Sequence, residues 1–326
     1  MCDRASVAGE TSPPTANVMA RITDVYQGFA SEEAAAKRYK LGPNVAADER
    51  LIELVENGGP TLGKDLASTL VLARRASSIV EYTKRFLHDS YGADIDTDGL
   101  VLVEISVGPS TKHRANLRVA PLALDRSKRG LYGLEFCFPD QDGHSETVAT
   151  WFIDPDSVIT VGPRAPSFQR GGRPGDTATP ERDTLEVLGQ IGLDEVARFV
   201  RALGDTNSIH RQSSAADEPN SGAVVPGMYI ALQIEANARR ARIIESTGEA
   251  WSIRFRIPII VRENGFGATL LWPRVFPVRP RKAVPRTVPL YCTDTTNSYD
   301  RWTYQEIGTL RLGAPAGLQQ RREVSA

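Results

Sequence analysis

The sequence predicts an α+β fold in two similar units, each a long helix followed by an antiparallel sheet. Three observations carry this. Apolar spacing changes from near 3.6 to 2 at about residue 100 and again near residue 250. A Gly-, Pro- and Arg-crowded stretch, Gly162 to Asp183, follows neither period and splits the 326-residue chain into halves of similar size. The same order of elements then recurs on each side of it. No residue-level repeat joins the halves, so duplication rests on the order of elements alone.

Element by element, the first half opens with two short helices. Ser31 is placed to cap one running from Glu32 to Tyr39. Asp48 to Glu56 puts Leu51, Leu54 and Val55 on one face and stops at Gly58-Gly59, a common helix end. A longer helix is expected from Leu66 to Asp89, with Leu72, Ala76, Ile79, Val80, Thr83, Phe86 and Leu87 as its stripe. Val101, Val103, Ile105 and Val107 then alternate with Leu102, Glu104 and Ser106. Leu131 to Phe138 and Thr147 to Ile153 are further strands, with Asp142-Gly143 as a hairpin turn.

In the second half, Leu193 to Leu203 reads as a helix with Val196, Phe199, Val200 and Leu203 on one face. A second helix should run from Gly227 to Glu245, with Pro226 just before its free backbone N–H groups. Trp251, Ile253, Phe255 and Ile257 alternate with Ser252, Arg254 and Arg256, a pattern with one face buried. Val275 to Arg281, Thr287 to Thr293 and Trp302 to Leu312 complete four strands. The domain reading is a disordered tail over 1–20, an N-terminal unit over 21–161, a linker over 162–183, a second unit over 184–315 and a tail over 316–326.

Composition narrows the function. Hydrophobic residues are 41% and charged residues 24% of the chain, as in ordinary globular proteins, and net charge is −1. Bulk charge therefore gives no sign of a nucleic-acid surface. No apolar run approaches the ~20 residues of a membrane span. The opening residues lack the apolar core of a signal peptide, and three widely spaced cysteines make neither a disulfide framework nor a zinc pattern. A cytoplasmic chain with no metal is the expectation.

The chemistry-bearing stretch is Leu203-Gly204-Asp205-Thr206-Asn207-Ser208-Ile209-His210, followed by Pro226-Gly227-Met228. It places an acid, an amide and an imidazole between two helices. Water adds to the β carbon of an α,β-unsaturated thioester if a base takes its proton and the carbonyl oxygen is stabilised as it gains charge. Asp205 can accept a hydrogen bond from that water, and His210 can act as base or acid near neutral pH. Asn207 can hold the loop or orient either group. Backbone N–H groups near Gly227 suit the developing enolate oxygen. Which of Asp205 and His210 moves which proton is open at this level.

This stretch resembles the signature of the MaoC-like (R)-specific enoyl-CoA hydratases and dehydratases: Phe199, Gly204, Asp205, Asn207, Ile209 and His210 fall in register, and Pro226-Gly227-Met228 matches the start of the family's central helix. The resemblance covers Leu193 to Arg242. The family's usual proline is Ser208 here, which leaves the loop less stiff but adds an N–H and a hydroxyl. The resemblance implies a double hot-dog fold, each unit a long helix wrapped by an antiparallel sheet. It implies Asp205, His210 and Asn207 as catalytic residues, and Gly227, Ser208 and Met228 at the oxyanion and substrate-binding position. It further implies a coenzyme A or acyl carrier protein thioester as substrate in fatty acid or polyketide metabolism, no cofactor, and a possible homodimer. The first half has no Asp-x-Asn-x-x-His, which fits a non-catalytic partner unit.

Alternatives stand beside this reading. The chain could be a specialised biosynthetic dehydratase on a carrier-bound or unusual substrate, or a non-catalytic thioester-binding or assembly subunit. Arg239, Arg240, Arg242, Arg279, Arg281, Lys282 and Arg286 could grip phosphates or an acidic carrier, or form a solvated face. His88 and His113 read as solvated, and His144 sits in a turn.

Overall fold

A computed structural model describes residues 35–41, 47–57, 61–91, 99–110, 115–122, 131–139, 146–153, 182–211, 222–245, 249–262, 267–274, 286–294 and 304–313. The two expected tails, almost all of the 162–183 linker, His113, His144 and the Asp142-Gly143 turn lie outside the described residues. The N-terminal unit runs β1 (Lys37–Tyr39), α1 (Glu49–Glu56), α2 (Lys64–Thr69), α3 (Val71–Tyr91), β2 (Val101–Pro109), β3 (Leu117–Pro121), β4 (Leu131–Cys137) and β5 (Glu146–Ile153). The second unit runs β6 (Leu185–Ile191), α4 (Leu193–Leu203), a 3₁₀ turn (Ser208–His210), β7 (Ala223–Val224) and α5 (Gly227–Arg240). It continues through β8 (Trp251–Phe255), β9 (Ile260–Val261), β10 (Ala268–Pro273), β11 (Arg286–Asp294) and β12 (Gln305–Leu312).

Ten strands form one antiparallel sheet in the order β1-β3-β4-β5-β2-β8-β12-β11-β10-β6. Outward from the centre both halves have the same wiring: first strand after the long helix, last strand, the two between, and finally the strand preceding the helices. The units meet where β2 pairs with β8, with Ile105 opposite Ile253 and Ser106 opposite Ser252. One apolar core runs through both units and includes Leu72, Ile79 and Phe86 of α3 and Tyr229, Ile230 and Ile234 of α5. This is the double hot-dog architecture, two long helices each cradled by half of a shared sheet. The duplication read from element order is present in the wiring.

Local chemistry accounts for the best-read elements. Asp48 caps α1 by accepting a hydrogen bond from Arg50 N at 3.0 Å, and Leu51, Leu54 and Val55 are buried. In α4 the residues Val196, Phe199, Val200 and Leu203 are buried as the spacing requires. Glu195 supplies the cap at the start of α4, its carboxylate accepting from Gly192 N at 2.9 Å.

Elsewhere the expectations need correction. Lys37 to Tyr39 is a strand, not the end of a helix, because it pairs with β3, Tyr39 opposite Leu117; residues 31–34 are not described. The helix expected from Leu66 to Asp89 is broken at Leu70 (φ −70°, ψ 108°) into α2 and α3. Its cause is 164 residues distant in sequence: Glu235 of α5 accepts from Val71 N at 2.8 Å and Leu72 N at 2.9 Å. The second long helix ends at Arg240 rather than Glu245. Arg242 has φ 54°, and Ile243 N turns back to Ala238 O at 2.7 Å. In β8 the one-face alternation fails: Ser252 is buried, because this is the seam strand, and Ile257 lies beyond the strand. A strand absent from the sequence reading is Ala268–Pro273, while Val275 to Arg281 lies outside the described residues. β1, β3 and β6 were likewise unread; each is short and none alternates cleanly.

Candidate active site

The loop after α4 is shaped by its backbone. Gly204 closes α4 with φ 63°, the left-handed conformation that favours glycine, and its N–H reaches Arg201 O at 3.2 Å. Asp205 N then donates to Val200 O at 3.0 Å, so the acid leaves the helix at a defined angle. Asp205 Oδ1 accepts from Asn207 N at 3.1 Å, leaving Oδ2 to face the imidazole.

The Asn207 side chain staples the loop to the N-terminal unit. Its side chain is 7% exposed, and every polar atom of it is used. Oδ1 accepts from Gly99 N at 3.0 Å and from Ile209 N at 3.3 Å; Nδ2 donates to Leu100 O at 2.9 Å. Gly99 and Leu100 precede β2, so the N-terminal unit fixes the loop of the other unit.

His210 closes the 3₁₀ turn. Its Nδ1 lies 2.7 Å from Val224 O. A carbonyl only accepts, so Nδ1 carries the hydrogen, and in the neutral ring Nε2 presents its lone pair. Nε2 lies 3.8 Å from Asp205 Oδ2, with side-chain exposures of 9% and 18% respectively. That separation is too long for a direct hydrogen bond. It lets both atoms reach one oxygen placed ~2.8 Å from each.

Val224 belongs to β7, which pairs with β9, and α5 begins three residues later. Gly227 and Met228 therefore start a helix tied to the carbonyl that holds His210. Tyr229 N and Ile230 N both turn back to Pro226 O, at 2.9 and 3.2 Å. Among the described residues the N–H groups of Gly227 and Met228 have no acceptor. Gly227 sits tightly at the seam: a Cβ there would stand 3.2 Å from Leu102 of β2 and 3.2 Å from Phe255 of β8. The Met228 side chain is buried in the core, and Ser208 is exposed.

Helices α4 and α5 are locked to each other. Phe199 stacks on Tyr229 with ring centroids 4.8 Å apart, and burial pushes the Tyr229 hydroxyl up to about 12. It therefore stays a neutral donor, 3.4 Å from Leu54 O, the carbonyl that Gln233 Nε2 also reaches at 3.2 Å.

Beside the loop opens a groove of about 540 Å³. Val80, Lys84, Arg85 and His88 of α3 form one wall, and Leu203 and Gly204 the other. Asp205 is the next residue, but neither Asp205 nor His210 belongs to the wall. Lys84 Nζ donates to Gly204 O at 2.7 Å across its floor.

The arginines divide. Arg239 is buried against Glu235 at 3.1 Å and available to no ligand, while Arg240 donates to Asn237 Oδ1 at 2.7 Å. Arg242 is exposed; Arg279, Arg281 and Lys282 lie outside the described residues, as does the side chain of Arg286. His88 is 60% exposed, as its position at the end of the helix suggested. Among the described residues no three His, Cys, Asp or Glu side chains cluster as metal ligands, and no helix is long and apolar enough to cross a membrane. Sequence reasoning missed Gly99, Leu100 and Val224, which act through backbone groups, and Lys84, which has no motif around it.

No family model matches the chain. No curated protein matches it either. Solved structures do. A MaoC-like dehydratase is similar over 87% of this chain and 100% of its own, at 14% identity and a TM-score of 0.53. HtdX of Mycobacterium tuberculosis matches over 86% and 98%, at 16% identity and a TM-score of 0.47. A conserved hypothetical protein from Mycobacterium tuberculosis, described as having a double hot-dog fold, matches over 88% and 96%, at 10% identity and a TM-score of 0.45. At such identities the likeness to the first establishes a shared fold.

Proposed function

We propose that the chain is a MaoC-like hydro-lyase of acyl thioesters, hydrating a 2-enoyl thioester to the (R)-3-hydroxyacyl thioester or catalysing the reverse dehydration. The observation that carries this reading is the pairing of Asp205 Oδ2 with His210 Nε2 at 3.8 Å, with His210 Nδ1 held by Val224 O. The two atoms face one point where a water oxygen fits.

In the hydration direction the water sits between them. The water oxygen bonds to the β carbon, and its proton passes to His210 Nε2, whose partner nitrogen is already protonated. Asp205 Oδ2 accepts the other water hydrogen and fixes the attacking lone pair. Electrons of the double bond move to the thioester oxygen, which the N–H groups of Gly227 and Met228 receive at the positive end of α5. The α carbon then takes a proton from the site, and the enolate collapses to the thioester. Water, substrate and product balance without any change of oxidation state, so the step needs no cofactor.

The groove beside Gly204 supports a thioester over a free acid. It is mostly apolar and edged by Lys84, Arg85 and His88, which suits the pantetheine arm shared by coenzyme A and acyl carrier proteins.

Incubating the purified chain with crotonyl-CoA, with loss of the enoyl absorbance and chirality of the product as readouts, tests the proposal. Asp205→Asn and His210→Ala are each expected to lower kcat/KM by ~10²–10⁴ while circular dichroism is unchanged. Turnover in both variants at the parent rate would overturn it.

A further inference from the structure

The starts of α3 and α5 are matching places in the two units. Each helix begins after one extended residue, Leu70 (φ −70°, ψ 108°) and Pro226 (φ −57°, ψ 127°). At α3 the first two N–H groups are taken by the two oxygens of Glu235, at 2.8 and 2.9 Å. At α5 the first two, on Gly227 and Met228, have no acceptor among the described residues. Glu235 lies eight residues past Gly227, and the residue eight past Val71 in α3 is Ile79, a buried apolar side chain. One unit thus sends a carboxylate to the other's helix start and receives none in return.

We infer that the start of α3 is the N-terminal unit's counterpart of the thioester-carbonyl position, and that the Glu235 carboxylate is its built-in occupant. That equivalence rests on the hydro-lyase reading of α5; the anion site itself stands on its own geometry. Two backbone N–H groups converge on the carboxylate with the positive end of the helix behind them. Arg239 Nε adds a third donor at 3.1 Å, and the group is fully buried. Burial pushes the Glu235 carboxyl up, against Arg239 and the two N–H groups, which favour the ion. Those three donors are matched to a carboxylate, and no water-filled path is needed to satisfy them. The consequence is functional: the N-terminal unit cannot take a second acyl thioester, because the place for its carbonyl is filled.

The ligand class is a small carboxylate, and the test is rescue. Glu235→Ala should lower Tm by on the order of 10 °C, since the buried Arg239 loses the Glu235 carboxylate. Sodium formate or acetate should then raise Tm saturably, well beyond sodium chloride at equal ionic strength. In the double variant Glu235→Ala/Arg239→Met, which has no unpaired buried cation, formate should still stabilise more than chloride. If the single variant does not fold alone, refolding yield in formate against chloride gives the same readout. Equal effects of formate and chloride, or a formate effect that vanishes in the double variant, would overturn the inference, the second by assigning the anion to Arg239. Neither measurement uses turnover, so inactivity toward crotonyl-CoA would count against the hydro-lyase reading and leave this one standing.

Discussion

The two units share one wiring and differ in where their buried polar groups point. In the N-terminal unit they point inward. Arg75, fully buried, pairs with Glu146 at 2.8 Å and lies over Phe138, while Arg118 pairs with Glu135 at 3.2 Å. In the second unit three of them reach across the boundary. Asn207 takes Gly99 N and Leu100 O, Glu235 takes Val71 N and Leu72 N, and Gln233 takes Leu54 O. Each of these bonds runs from a side chain of the second unit to the backbone of the first. Backbone groups survive substitution, so the first unit can diverge in sequence and still hold the loop of its partner. That accounts for a pair of units alike in topology with no residue-level repeat.

The largest expected effect is on the second unit's own apolar joint. Phe199→Ala removes a fully buried ring stacked on Tyr229 and should cost ~3–5 kcal/mol in chemical denaturation. Because α4 carries the loop, turnover should fall with stability. A loss of under ~1 kcal/mol would mean that α4 is held by other contacts.

Asn207→Ala separates holding from reacting. It leaves the half-buried Gly99 N and the buried Leu100 O without the Asn207 side chain, a cost of ~1–3 kcal/mol. Turnover should drop by at least the factor expected from a displaced Asp205, and the shape of the pH–rate profile should not change, because the titrating groups remain. A profile that loses a limb would instead make Asn207 part of the proton chemistry.

The reverse substitution, on the backbone-donating side, should be nearly silent. Leu54→Met keeps the carbonyl that Gln233 and Tyr229 reach and conserves core volume, so the cost is under about 1.5 kcal/mol and turnover is retained. An effect as large as that of Asn207→Ala would end the distinction between side chains that read and backbones that are read.

Legibility in the sequence follows the same division. Helix α4 was readable to the residue because Val196, Phe199, Val200 and Leu203 recur at helical spacing on one face. Asp205 and His210 were readable as a motif, and the structure brings them together. The break at Leu70 was not, because local propensity runs through it and only Glu235, far along the chain, stops the helix. Strand β3 was missed because all five of its residues are buried and nothing alternates. Gly99, Leu100 and Val224 take part through N–H and C=O groups, which every residue type carries. No composition or spacing could have singled them out.

The smallest effect tests a contact that runs the other way, from a first-unit side chain to the second unit's backbone. Lys84 Nζ donates to Gly204 O at 2.7 Å, one peptide before Asp205. A charged donor strengthens that bond, but it lies at the surface, where solvent competes. Lys84→Met keeps the apolar stem and removes the donor, and should cost only ~0.2–1 kcal/mol. Denaturation will barely register it. Hydrogen exchange will, because the bond restrains the turn of Gly204 directly: amides of residues 204–211 should exchange faster while those of α4 do not change. Lys84→Arg should restore protection. Unaltered exchange in that loop would mean that the Lys84 bond does not restrain it.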